Sequence, residues 1–69
     1  MKLYEIPKGS KIRLPLKTDS GAELGEQICT FDHLDGAYSH ITTPNGDVVH
    51  LGASTPLKLV DGVYRLSER

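Results

Sequence analysis

The chain has one cysteine, no tryptophan, one phenylalanine and no marked excess of either charge, and each shortage closes off a class of explanation. Cys29 alone cannot form an internal disulfide, and no paired Cys or Cys-His spacing of a structural zinc site is present. At 69 residues the chain reads as one domain, spanning 1–69, and a domain that short buries only roughly 60% of its unfolded surface. One Phe and three Tyr are the aromatics available to its core. Extra burial between copies is the natural remedy for a core this small. The eight basic and nine acidic residues leave a net charge of −1, which argues against nucleic acid, because phosphate-binding domains carry a basic surplus or stripe. Lys8, Lys11, Arg13 and Lys17 do cluster, but no aromatic residue is interleaved to stack on bases. No run approaches a membrane span, and Met1-Lys2-Leu3-Tyr4-Glu5 lacks the apolar core of a signal peptide. Together with the lone thiol, this sets the expectation of a cytoplasmic protein with no membrane partner.

What is present is β-structure. From Gln27 to Leu51, three β-prone runs are separated by Asp35-Gly36 and Asn45-Gly46, dipeptides that supply the positive φ angles of tight hairpins. They predict a three-stranded antiparallel meander. If these dipeptides are the turn centres, Phe31 faces His40, His33 faces Tyr38 and His40 faces Leu51. Cys29, Phe31, His33, Tyr38, His40, Thr42, Val49 and Leu51 then share one face, which the aromatics mark as the core side. Ile28, Thr30, Asp32, Leu34, Ser39, Ile41, Val48 and His50 share the other. A three-residue loop with a bulge would invert part of this assignment.

The flanks read as further strands. Lys2–Ile6 is a short strand candidate, ended by Pro7-Lys8-Gly9-Ser10. Lys11–Leu16 alternates, with Ile12, Leu14 and Leu16 on one side, and Pro15 marks an edge or the start of a loop. Lys17–Gly25 is a long polar loop around Asp19-Ser20-Gly21, with Leu24 as its buried anchor and a candidate for function. Gly52–Pro56 suits a turn or one 3₁₀ turn. Leu57–Val60 and Val63–Leu66, joined by Asp61-Gly62, form an amphipathic hairpin with Leu57, Leu59, Tyr64 and Leu66 inside, and Ser67-Glu68-Arg69 should fray.

Six or seven short strands without a helix predict an all-β fold, either a small barrel or two orthogonally packed antiparallel sheets, since closure hides strand edges. The order of elements (strand, polar loop, three-stranded meander, short turn at Ser54-Thr55-Pro56, final strand) resembles SH3-like small barrels over residues 11–66. The acidic loop and tryptophan with which peptide-binding SH3 domains hold proline-rich ligands are missing, so the resemblance implies the fold and not that activity.

Chemistry is sparsely provided for. His33 and His40 share a face in this register and His50 lies on the opposite one, so a three-histidine site is not expected to assemble. Cys29, mid-strand and without a nearby cation, reads as a small core residue. Ser54-Thr55-Pro56 lacks the strand-to-helix setting of a nucleophile elbow, and no glycine-rich loop precedes a helix that could receive a phosphate. No enzyme activity, metal or cofactor is therefore expected. The expectation is a stand-alone, non-enzymatic binding or regulatory module of the size common among bacterial and phage accessory proteins. It would act through protein contacts with itself as a homo-oligomer or with another protein, and Ile28, Ile41, Val48 and His50 are the candidate interface. The alternative is a small-ligand or nucleic-acid binder using His33, Tyr38, His40, Lys8, Lys11 and Arg13. The pattern also ranks two truncations: Phe31→Ala should cost about 3–5 kcal/mol of unfolding free energy, and Val60→Ala distinctly less, as measured by urea denaturation.

Overall fold

The computed structural model describes residues 1–18 and 20–67; Asp19 of the expected polar loop and Glu68 and Arg69 of the expected frayed end lie outside the described residues. The chain forms a 3₁₀ turn at Leu3–Glu5 and six strands: β1 (Lys11–Lys17), β2 (Glu23–Asp35), β3 (Tyr38–Thr42), β4 (Val48–Val49), β5 (Leu57–Val60) and β6 (Val63–Leu66). They make one sheet in the order β4-β3-β2-β1-β6-β5. The fold is all-β, as the pattern implies, but the sheet is open: among the described residues no ladder joins β4 to β5. Two packed antiparallel sheets are not formed either. β1 bridges the meander to the last hairpin, antiparallel to β2 and parallel to β6, so a single mixed sheet runs through the molecule. No helix in the described residues is long and apolar enough to cross a membrane.

One face of this sheet carries the core. Ile12 and Leu14 from β1, Cys29 and Phe31 from β2, Ile41 from β3 and Leu57 from β5 form one cluster, with Leu16, Val49, Leu51 and Tyr64 packed at its margin. Strands sit about 4.8 Å apart, so side chains from β3 and β5 join one cluster only if the sheet curls over its own inner face. The N-terminus fills the remaining opening. Lys2–Ile6 is not a strand: Leu3 and Ile6 are both buried, and a spacing of three places them on one side of a three-residue turn but on opposite sides of a strand. The Lys2 N–H donates to the Glu5 carboxylate at 2.6 Å, and Leu3 N and Leu57 N bond Thr55 O and Met1 O, tying the plug to the start of β5.

The turns explain where the meander departs from expectation. Asp35 pairs with Tyr38, so the two loop residues are Gly36 and Ala37, glycine first with φ +64° as a type II′ turn requires. In the second hairpin Thr43 N donates to Asp47 O and Gly46 N to Thr43 O, closing a three-residue loop in which Gly46 has φ +89°. Pro44 supplies the fixed φ of the second position in a type I turn, which moves Gly46 to its end and not its centre. Asp32 adds a bulge, since Phe31 pairs with Ile41 and His33 with His40. A side-chain period of two makes these one-residue changes decisive. β3 is turned over relative to the expected register: Ser39 and Ile41 point inward, and Tyr38, His40 and Thr42 point outward.

The loop between β1 and β2 repeats the same chemistry. Thr18 N donates to Ala22 O and Gly21 N to Thr18 O, and in both loops the threonine hydroxyl also accepts from the residue after glycine, Ala22 N at 3.1 Å and Asp47 N at 3.1 Å. Thr-x-x-Gly is thus a turn signature used twice. Strand pairing resumes at Glu23, which shortens the polar loop expected over Lys17–Gly25, and Leu24 sits in the bulge opposite Leu16 and Lys17, exposed instead of anchoring the core. The final hairpin follows its expected register from Leu57 opposite Leu66 to Val60 opposite Val63, but of the four side chains expected inside, Leu59 and Leu66 are exposed where the hairpin runs past the core. Its loop residues Asp61 and Gly62 both have positive φ.

The revised register is tested by a pair of substitutions. Ile41→Ala should cost about 2–5 kcal/mol in urea denaturation, as for a fully buried side chain, while Tyr38→Ala should stay within about 1 kcal/mol. The original register requires the reverse order.

Candidate functional site

The turned-over β3 and the Asp32 bulge assemble what the sequence register kept apart. His33 on β2, His40 on β3 and His50 just after β4 lie in a row on the outer face of the sheet. The rings of His33 and His40 stack with centroids 4.5 Å apart and planes at 12°, and His50 meets His40 edge-on at 4.8 Å. The expectation that His50 would lie on the other face from His33 and His40 is corrected here. The three-residue loop at Thr43–Asp47 sets His50 opposite His40, and the bulge brings His33 out to join them.

Each ring is held by a neighbour. Asp32 Oδ2 lies 3.2 Å from His33 Nδ1, and Asp35 Oδ2 accepts a hydrogen bond from His40 Nε2 at 3.2 Å. His50 Nδ1 donates to the Ser39 carbonyl at 2.8 Å. A carbonyl oxygen only accepts, so that bond requires the hydrogen on His50 Nδ1 and leaves Nε2 a lone pair in the neutral ring. The same logic leaves His40 Nδ1 as an acceptor. Ser39 fixes this end of the row because its buried hydroxyl donates to Leu51 O at 3.1 Å and accepts from Leu51 N at 3.2 Å, clamping the segment after β4 to β3 where regular pairing stops.

Asp35, Tyr38, His40 and His50 line an open cavity of about 330 Å³. It is bordered by two imidazoles, a carboxylate and the exposed ring of Tyr38 around a mainly apolar surface, a set suited to a flat apolar group carrying a hydrogen-bond donor. Among the described residues no group of three or more His, Cys, Asp or Glu side chains has an arrangement that holds a metal ion. Cys29 is on the other side of the sheet, fully buried, and burial raises its thiol pKa above the ordinary value. A buried thiol held protonated is a packing group and is removed from the chemistry of the outer face.

The remaining sequence-derived candidates separate. Tyr38 joins the histidine cavity, whereas Lys8 lies exposed in the turn before β1. Lys11 points outward and donates from Nζ to Thr30 Oγ1 at 2.9 Å, one cross-strand row along from the histidines, and Arg13 lies a further row away opposite Ile28. Of the candidate interface, Ile28, Val48 and His50 reach the outer face, but Ile41 is fully buried beside Phe31 and offers no surface. Sequence reasoning missed His50 as a member of the histidine cavity, having placed it on the opposite face. The signal that finds His50 is Thr43-Pro44-Asn45-Gly46, because proline in that position specifies the three-residue loop.

Comparison with protein-family models, with curated proteins and with solved structures gives no match.

Ser39 is the residue on which the position of His50 depends. Ser39→Ala leaves the half-buried Leu51 N–H without its side-chain acceptor and should cost about 1–3 kcal/mol in stability. In heteronuclear NMR the His50 ring signals should move more than those of His33; equal displacement of both would mean that Ser39 does not position the row.

Proposed function

We propose that the protein is a non-enzymatic binding module whose ligand surface is the outer face around His33, His40, His50 and Tyr38. The observation that carries this reading is the alignment of three imidazoles on the outer face, two of them lining one open cavity, by way of two backbone irregularities, the Asp32 bulge and the Thr43–Asp47 loop. Bulges of this kind commonly re-aim side chains beside functional sites. The ligand this face fits is a small molecule or a protein segment that sets a hydrogen-bond donor against His50 Nε2 and a flat apolar group against Tyr38. The resemblance of element order to SH3-like barrels belongs to this reading, as does a cytoplasmic location.

A fragment screen followed by ¹⁵N NMR tests it. Aromatic carboxamides and capped dipeptides should shift the His40 and His50 ring signals. Tyr38→Ala and His50→Ala should each weaken those hits at least tenfold while the melting temperature changes little. Hits confined to other surfaces, and unaffected by either substitution, would reject the histidine face as the ligand surface.

A second reading, self-association, is favoured by the far part of the β5 edge, which no strand pairs among the described residues and where Leu59 and Val60 are 57% and 38% exposed, and by Val48 at the opposite edge, 50% exposed. On this reading light scattering gives at least twice the monomer mass and the melting temperature rises with protein concentration, both reduced by Val48→Asp or Leu59→Asp. Ile41→Asp does not test it, because a charge in the core unfolds the monomer. A constant mass and melting temperature over a hundredfold dilution would leave the monomeric module.

A further inference from the structure

At the other end of the outer face, the parallel β1–β6 pairing produces an arrangement that the sequence conceals. Arg13 lies directly opposite Arg65, and Arg65 directly opposite Lys58, so three cationic side chains stand abreast across β1, β6 and β5. Like charges placed directly opposite on neighbouring strands destabilise a sheet. The chain has nine acidic residues, yet among the described residues the one carboxylate in an ion pair with this row is Glu26, 3.5 Å from Arg65 in a contact whose two side chains are 42% and 46% exposed. Such an exposed, long contact offsets little of the repulsion. Arg13 and Lys58 have no salt-bridge partner among the described residues. The three cations, with Glu26, Pro15 and Leu66, border an open cavity of about 590 Å³, distinct from the histidine cavity.

We infer that this row is a binding site for the phosphate group of a small phosphorylated ligand. Neighbouring strands are about 4.8 Å apart, so an oxyanion centred over Arg65 lies within reach of Arg13 on one side and Lys58 on the other. Two guanidinium forks offer paired N–H donors to its oxygens, and the lysine adds a mobile point charge. Bound there, the anion relieves two like-charge contacts at once. The cavity falls in the size range of small-molecule sites, about 300–1,000 Å³. The row is short, and no aromatic side chain borders the cavity, so the stacking that holds single-stranded nucleic acid is missing. The near-zero net charge of the whole chain masks this row, because Glu26 is the one acidic side chain among the described residues that borders the cavity.

Thermal unfolding in pyrophosphate, in inorganic phosphate and in sodium chloride at matched ionic strength tests the site. Pyrophosphate should raise the melting temperature by several degrees beyond the chloride control, with phosphate weaker, and ³¹P line broadening should report the contact. Lys58→Gln and Arg13→Gln should each raise the melting temperature at low salt in the absence of the anion, since they relieve repulsion, and each should remove most of the pyrophosphate response. A structural role for these side chains predicts the opposite sign, a lower melting temperature in every buffer. The proposal is overturned if chloride matches pyrophosphate, if the response survives both substitutions, or if either substitution destabilises the anion-free protein. Salt-sensitive binding of a single-stranded oligonucleotide tighter than that of pyrophosphate would also overturn it, in favour of a nucleic-acid surface.

Discussion

The pairing of Phe31 with Ile41, between the bulge at Asp32 and the three-residue loop at Thr43–Asp47, is the contact on which both faces of this sheet depend. It places the largest inward side chain of β2 beside a fully buried side chain of β3. Because a strand has only two sides, burying Ile41 sends His40 and Tyr38 to solvent. The core and the histidine cavity are therefore two consequences of one register. A slip by one residue would bury Tyr38 and His40, expose Ile41 and disperse the imidazole row.

The small core makes that register costly to lose. Its buried members come from four of the six strands and from the N-terminal segment, so removing one side chain affects the contacts of several elements. Leu3 and Ile6 are as much part of it as the strand residues, and their attachment to residues 53–57 by backbone hydrogen bonds links the N-terminus to the last hairpin. The plug also stands in for closure. With β4 and β5 unjoined, covering the inner face falls to the curl of the sheet and to this turn.

The outer face is divided by chemistry. One end, built from β2, β3 and the segment after β4, offers imidazoles and carboxylates with an exposed tyrosine ring; the other, built from β1, β6 and β5, offers cations abreast. Between them lie Thr30, Thr42 and Lys11 in a short polar row. On the readings proposed above, the two ends would engage two unlike chemical groups on one surface, joined through the central strands β1 and β2.

The sequence by itself determined the local elements: the alternation of Lys11–Leu16, the meander, the Asp61-Gly62 hairpin with its register, and the inward placement of Cys29 and Phe31. These rest on propensity, periodicity and turn residues, which act within a few positions of the chain. The loop at Thr43–Asp47 was also written locally, in Pro44 and in the Thr-x-x-Gly pattern shared with Thr18–Gly21, although glycine-centred reasoning passes over it. The three-residue spacing of Leu3 and Ile6 likewise marks a 3₁₀ turn. What only the tertiary structure decided was the parallel pairing of β1 with β6 and, through it, the alignment of Arg13, Arg65 and Lys58. No local signal encodes a contact between residues some fifty positions apart; it is selected by the burial of Ile12 and Tyr64 against the shared core, which is a property of the folded chain as a whole.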